Sequence, residues 1–244
     1  MKIKIHPLFL IFNIIFILIG RFKFIIFFTL LILIHEIGHI IMSLLFKWNI
    51  SKIIILPFGG LIKYDELINK PLKEEFLISI NGVIFQYIFF LFLKNIICYR
   101  YFSFINYFII IFNLLPIYPL DGSKILNVFF NIITTFKKSI LLTLVVSYIT
   151  IIILSLILFD INRLSIFIIY FFFKETTRLY NEKEVIFNRF LLERNLYEFK
   201  FKFKKTIKKV DDMKKNYKHL FKINNKYVTE KYYLKKMFDI NRKI

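Results

Sequence analysis

Long apolar runs, broken by short basic turns, set the layout of this chain. Residues 139–159 carry no charge, glycine or proline, and a run of that length meets the about 20 residues that an α-helix needs to cross a bilayer. Residues 76–93 are also uncharged and nearly as long. Residues 22–46 form a third run, interrupted by Lys23 at its start and by His35, Glu36 and His39 within it, and residues 102–118 form a fourth that ends in a proline-rich turn. Two shorter runs flank these: 5–20, and 161–173 after the turn Asp160–Ile161–Asn162–Arg163, the second of which could instead lie in the membrane interface. After the second run from the amino terminus, Ile50–Leu56, Pro57–Gly60 and Leu61–Tyr64 read as strand, turn and strand. The pattern therefore predicts an all-α polytopic membrane protein of about six transmembrane helices, with a small β-hairpin after the second. A hairpin edge could accept an unwound peptide by strand addition, or the hairpin could be a purely structural feature of the membrane surface.

Composition strengthens the membrane reading. The chain is 58% hydrophobic, with thirty-three Phe and only six Gly among 244 residues, and its mean hydropathy is +0.63. A soluble domain of this size does not need so apolar an average. Disorder, a collagen-like structure and a disulfide scaffold are excluded; the one cysteine, Cys98, has no partner for an internal disulfide. No small-x-small cleavage site follows the first run, and Gly20–Arg21–Phe22–Lys23 reads as a turn, so 5–20 is read as a span rather than a signal peptide. The abundance of Ile, Phe, Lys and Asn also has the look of AT-rich coding drift, which accounts for some of the lysine without any function.

Charge orients the spans. With the amino terminus inside, the short inside segments hold ten Lys and Arg and the outside loops five, in keeping with the positive-inside tendency. Both termini are then cytoplasmic. From Lys174 onward, twenty-one Lys and Arg face nine acids and supply +12 of the net +20. Residues 1–175 are thus expected to form the membrane domain and 176–244 a basic cytoplasmic tail. The tail's charge fits a solvated or anionic-lipid-facing surface. No helix-turn-helix, zinc finger or aromatic RNA-binding signature points to nucleic acid.

The chemistry concentrates in His35–Glu36–Ile37–Gly38–His39, an H-E-x-x-H pattern inside an apolar run. On a helix the two histidines stand one turn apart and about 40° around, so their rings can converge on one ion. Glu36 stays on the same half of the helix, within reach of a water at that ion. Gly38 leaves a gap for a close neighbour. With four His and ten Glu in the chain, chance would supply this pattern roughly three times in a thousand. Three polar groups in five residues of a span would otherwise need helix–helix hydrogen bonds to offset about 3 kcal/mol per ionisable group.

A catalytic metal site wants a third protein ligand. His6 and His219 lie in terminal segments, Cys98 falls on the outside, and Asp65, Glu66, Glu74 and Glu75 lie in a polar loop. Asp121 is the better candidate. It follows Asn113–Leu114–Leu115–Pro116–Ile117–Tyr118–Pro119–Leu120 and precedes Gly122, at the inner end of a span running in the same direction as the one bearing His39. The prolines break the helix there and turn the chain back into the protein. By spacing alone, an ordinary Asp–Gly turn at the membrane surface remains an equal reading.

These two stretches, HEIGH at 35–39 and NLLPIYPLDG at 113–122, resemble the site-2 protease family of intramembrane zinc metalloproteases. The second matches N-x-x-P-x-x-P-x-D-G at Asn113, Pro116, Pro119, Asp121 and Gly122, and Pro57–Phe58–Gly59–Gly60 is similar to the family's loop between catalytic helices. The layout is most like the sporulation branch, which processes a pro-sigma factor, and the resemblance covers about residues 5–180. It implies one zinc held by His35, His39 and Asp121, Glu36 as the catalytic base, a membrane-associated protein substrate and inhibitory membrane partners. Ligand type alone would not separate zinc from cobalt or iron. Asn113 would either donate to the oxyanion or pack and cap its helix. Two features depart from the pattern. Val83 and Gln86 stand where Gly-Pro and a following Asn are usual, and the stretch 200–244 is short for the CBS domain that the link Arg189–Arg194 resembles. The competing readings are a membrane metal transporter or metal-binding protein, which would want polar residues on several spans, and a catalytically silent scaffold.

Overall fold

The computed structural model describes residues 2–56, 59–95, 97, 100–158, 163–201, 203–223 and 226–241. Pro57 and Phe58 of the expected turn, Cys98, and the residues Asp160–Ile161–Asn162 lie outside these. Two compact units divide the chain: Met1–Glu66 with Phe76–Ile125, and Leu67–Glu75 with Leu126–Ile244.

In the first unit the chain runs through β1 (Lys2–Ile5), α1 (Pro7–Leu18), α2 (Phe22–Leu45), β2 (Ile50–Leu56), β3 (Gly59–Tyr64), α3 (Leu72–Leu93), α4 (Phe102–Asn113) and the start of α5 (Asp121–Ile133). Helix α1 starts where Pro7 fixes φ and His6 caps it, the imidazole Nδ1 accepting from the Leu8 N–H at 3.2 Å. Helix α2 buries Ile25, Phe28, Leu31, Ile32, His35, Gly38, His39 and Ser43. Its opposite face exposes Phe22, Ile26, Leu30, Leu33, Ile37, Ile41 and Leu44, with Lys23 at its start the one charge. A helix whose exposed face is apolar is matched to lipid rather than water. Against the buried stripe pack Phe90 of α3 and Phe102, Ile105 and Ile109 of α4, with Phe12 and Phe16 of α1 at the margin. This core lies directly beyond the turn of α2 that carries the histidines.

Strands β1, β2 and β3 form one sheet in that order, β1 parallel and β3 antiparallel to β2. Strand β2 is therefore central, and its edges are taken by Lys2–Ile5 and Gly59–Tyr64. The hairpin expected after the second run has gained a third strand from the amino terminus, so only β1 and β3 offer an edge.

The second unit contains α6 (Phe136–Leu158), α7 (Arg163–Leu196), β4 (Phe203–Ile207), β5 (Tyr217–Ile223), β6 (Lys226–Thr229) and α8 (Glu230–Asn241). Strand β5 is central, parallel to β4 and antiparallel to β6. Helix α7 runs unbroken for 34 residues, from the apolar run near 163 into the basic region. Phe190, Leu191, Phe221, Met213 and Leu234 close its core together with Phe136 and Leu144 of α6. A buried polar knot holds the rest: Arg194 donates to Asn69 Oδ1 at 2.7 Å and Glu230 Oε1 at 3.1 Å, while His219 pairs with Glu230 Oε2 at 3.1 Å. Burial pushes His219 below the usual imidazole range, against the pull of its bond to Glu230. Burial would raise Glu230, but the hydrogen bond from His219 and the Arg194 charge hold it below the usual carboxylate range.

The protein is mostly α-helical and polytopic. Among the described residues three helices, not six, are long and apolar enough to cross a bilayer: Phe22–Leu45, Leu72–Leu93 and Phe136–Ile157. The fourth run shortens because α4 stops at Asn113, and α1 and α4 each have 12 residues, about 18 Å of helix against a hydrocarbon core of about 30 Å. The all-α expectation with its one small hairpin is also corrected, since six strands stand among the described residues.

Candidate metal centre

Helices α2 and α3 approach closely where two glycines remove the side chains between them. A Cβ on Gly38 would run into the Asn81 carbonyl and Phe85, and one on Gly82 would run into the His39 ring. The gap that Gly38 leaves is thus filled by α3. Asn81 reinforces the crossing, its Nδ2 donating to the Gly38 carbonyl at 2.6 Å. This proximity brings α3 carbonyl and amide groups to the imidazoles.

His35 Nε2, His39 Nε2 and Asp121 Oδ2 converge. The separations are 2.9 Å from His35 to Asp121, 2.8 Å from His39 to Asp121, and 3.1 Å between the two imidazoles. All three residues are buried. The outer ring nitrogens each face an acceptor. His39 Nδ1 lies 2.7 Å from the Ile78 carbonyl, which can only accept, so the proton is on Nδ1. His35 Nδ1 lies 3.0 Å from Gln86 Oε1, and the Gln86 amide is held the right way round because its Nε2 donates to Asn106 Oδ1 at 3.0 Å. With Nδ1 assigned as the donor on each ring from these partners, Nε2 of the neutral imidazole is the atom that presents a lone pair toward the carboxylate oxygen.

In that neutral form three acceptors this close require a positive charge among them, which a bound metal ion supplies. Three corners of a tetrahedron around an ion at 2.0–2.1 Å stand about 3.3 Å apart, so the donor set fits a tetrahedral metal with modest adjustment. Asp121 opens α5, after the turn that contains the cis Tyr118–Pro119 bond. Its second oxygen, Oδ1, accepts from Lys124 Nζ at 2.8 Å, which leaves Oδ2 alone for the ion.

Glu36 lies beside this cluster with its two oxygens in different situations. Oε1 accepts from the Gly60 N–H at 2.5 Å, whereas Oε2 is buried and has no partner among the described residues. Strand β3 can come this near only because position 60 lacks a side chain; a Cβ there would collide with the Glu36 carboxylate. Asn113 is buried, donates one amide hydrogen to the Ile109 carbonyl at 3.0 Å, and its Oδ1 faces the space beside Gly59.

The structure thus brings His35, Glu36, His39, Asp121 and Asn113 into one unit. It keeps the rejected candidates elsewhere: His6 caps α1, Glu66 accepts from the Asn49 N–H at 2.7 Å, and Glu75 pairs with Lys215. Four contributors to the site were missed: Gln86, Asn106, Lys124 and the Ile78 carbonyl. The signal for the amides was present, since a buried Gln or Asn in an apolar run must find a hydrogen-bonding partner.

A membrane-embedded scaffold whose spans carry a two-histidine, one-carboxylate cluster and an adjacent free carboxylate oxygen defines a metal-dependent hydrolase of the bilayer. The sequence comparisons agree. Peptidase family M50 matches residues 23–100 and 94–159, and the chain belongs to that family. It is 34% identical over 206 residues to Stage IV sporulation protein FB of Bacillus subtilis (strain 168), covering 80% of this chain and 71% of that protein. A zinc metalloprotease of Methanocaldococcus jannaschii is 29% identical over 109 residues, covering 39% of this chain and 31% of the relative. The solved structure of the site-2 protease from the same archaeon aligns with a TM-score of 0.59 at 22% identity, over 72% of this chain and 89% of that one, which is a likeness of fold. The chain is an intramembrane metalloendopeptidase.

Proposed function

We propose that this protein is a zinc endopeptidase in which His35, His39 and Asp121 ligate the metal and Glu36 is the general base. The observation that carries the reading is the convergence of His35 Nε2, His39 Nε2 and Asp121 Oδ2, with the outer nitrogen of each ring held by an acceptor of its own. Zinc bound there would supply a Lewis acid for the peptide carbonyl and lower the pKa of a water. Glu36 Oε2, the atom without a partner, takes the water's proton as the water oxygen attacks the peptide carbon; Oε1 stays on the Gly60 N–H and fixes the carboxylate. As the C–N bond breaks, Glu36 returns that proton to the leaving nitrogen. Asn113, one amide hydrogen committed to its own helix, positions the start of β3 and keeps its other hydrogen for the developing oxyanion.

Gln86 orients His35 and is itself oriented by Asn106, so Gln86→Leu should loosen zinc by about 10- to 100-fold, the usual cost of losing an outer partner of a ligating histidine. Competition with a zinc-binding dye measures this. An unchanged affinity would mean that the His35 ring is held by packing alone.

The substrate is proposed to be a membrane-associated protein, a pro-sigma factor in particular, because of the similarity to a sporulation protein. Inhibitory membrane proteins are the proposed regulators. The proposed setting is the cell membrane, with both termini cytoplasmic. Residues 1–175 would be the protease domain and 176–244 a basic cytoplasmic region related to a shortened CBS domain. Co-expression with a candidate precursor tests substrate and reaction together: a shortened product with the intact chain, and none in medium stripped of zinc, is expected. An intact precursor alongside zinc-dependent cleavage of a generic membrane peptide would remove the sigma-factor assignment and leave the protease.

A further inference from the structure

Three lysines stand side by side on the first sheet. Lys2 of β1 is in register with Lys52 of β2, which is in register with Lys63 of β3. Cross-strand partners share a face, so the three side chains project together, and Lys4 follows two residues along β1 on the same face. Like charges directly opposite one another destabilise a sheet. No acid relieves them: among the described residues none of these four lysines forms an ion pair. The pKa of Lys52 is pushed below the ordinary lysine range, first by desolvation and then by the charges of Lys4 and Lys63.

Contacts with α2 fix the depth of this row. The start of β3 lies at Glu36, where Gly60 donates to the carboxylate, nine residues and about 14 Å before the end of that span. From Gly60 to Lys63 the strand climbs about 10 Å. Tyr64, the next residue, places its hydroxyl 2.9 Å from Ser43 Oγ, two residues from the end of α2 at Leu45. The Lys2–Lys52–Lys63 row therefore stands level with the mouth of the span, at headgroup height, while the apolar residues Ile54, Ile55, Leu56 and Leu61 lie deeper. Lys4 is one step deeper than Lys2 and can extend its long stem up to the same level.

We propose that this row is a binding site for the phosphate of an anionic lipid, whose negative charge offsets the repulsion built into the sheet. The location favours lipid over an acidic stretch of a protein partner, because phosphates are present at that depth whether or not a substrate is bound. Each lysine near an anionic membrane surface contributes about fivefold in affinity, the equivalent of about 1 kcal/mol.

The chain's single tryptophan, Trp48, lies four residues before Lys52 and serves as the reporter. The full chain is reconstituted in phosphatidylcholine vesicles with increasing phosphatidylglycerol, one of the two lipids carrying brominated acyl chains. Quenching of Trp48 should require several-fold less brominated phosphatidylglycerol than brominated phosphatidylcholine. The triple variant Lys2→Gln, Lys52→Gln, Lys63→Gln should bring that ratio to about one. The triple Lys→Arg variant should keep the preference, as should a charge-matched control, Lys222→Gln, Lys235→Gln, Lys236→Gln. Substitution by Gln relieves like-charge repulsion, so bound metal and cleavage in pure phosphatidylcholine should be unchanged. A preference that survives in the Gln triple overturns the proposal. So does a Gln triple that keeps its lipid preference but shows a raised KM for an acidic substrate in phosphatidylcholine, which would assign the row to a protein partner.

Discussion

Glu36→Gln is expected to lower peptide cleavage by about a thousandfold, within the range for losing a general base, without loss of bound zinc. The expectation follows from the division of labour between the two carboxylate oxygens. Oε1 is anchored by the Gly60 N–H and Oε2 is buried without a partner. Glutamine has the same shape, and its carbonyl oxygen can still accept from Gly60, so α2 and β3 should keep their relation. What it loses is the ability to take a proton. Purified variant, loaded with zinc and assayed on a membrane-tethered peptide, gives the comparison. Normal turnover would show that some other group handles the proton, and a parallel loss of zinc would make Glu36 part of the ligand set.

Asp121→Ala is expected to weaken zinc by more than about a hundredfold, a larger loss than removing an outer partner brings. Asp121 supplies the only carboxylate oxygen within 3 Å of both imidazoles among the described residues. Its loss leaves two neutral rings, which cannot balance the ion's charge. The fold should survive, because Lys124, the partner left behind, has a side chain that is 40% exposed and can turn to water or headgroups. Zinc content after dialysis against a chelator, with circular dichroism as the check on folding, reads out this effect. Retention of zinc at wild-type affinity would remove Asp121 from the site.

Much of this centre is legible from the sequence for a definite reason. Ionisable residues in an apolar run are costly, and the one-turn spacing of His35 and His39 allows convergence only on a helix. Asp121 is legible through the prolines that must end its preceding helix. Gln86 and Asn106 are harder to read. Each is one polar residue in a long apolar run, and only the packing of α3 against α4 shows that they form a chain ending on His35. Strand β1 was hidden because four residues, Lys2–Ile5, carry little local signal and their partner lies fifty residues on. The span count was overdrawn because apolar length cannot reveal where a helix stops: the run 102–118 reads as continuous, yet α4 ends at Asn113 and the chain turns before α5. The break expected in composition near Lys174 leaves no mark on α7, since helix hydrogen bonding is indifferent to a change from lipid-facing to water-facing side chains.

X-ray absorption at the zinc edge of the purified, zinc-loaded protein reads the ligand set itself. Two imidazole nitrogens and low-atomic-number oxygen scatterers at about 2.0–2.1 Å are expected, with the oxygen contribution changed in Asp121→Ala. A sulfur scatterer at about 2.3 Å, or a spectrum that Asp121→Ala leaves untouched, would contradict it.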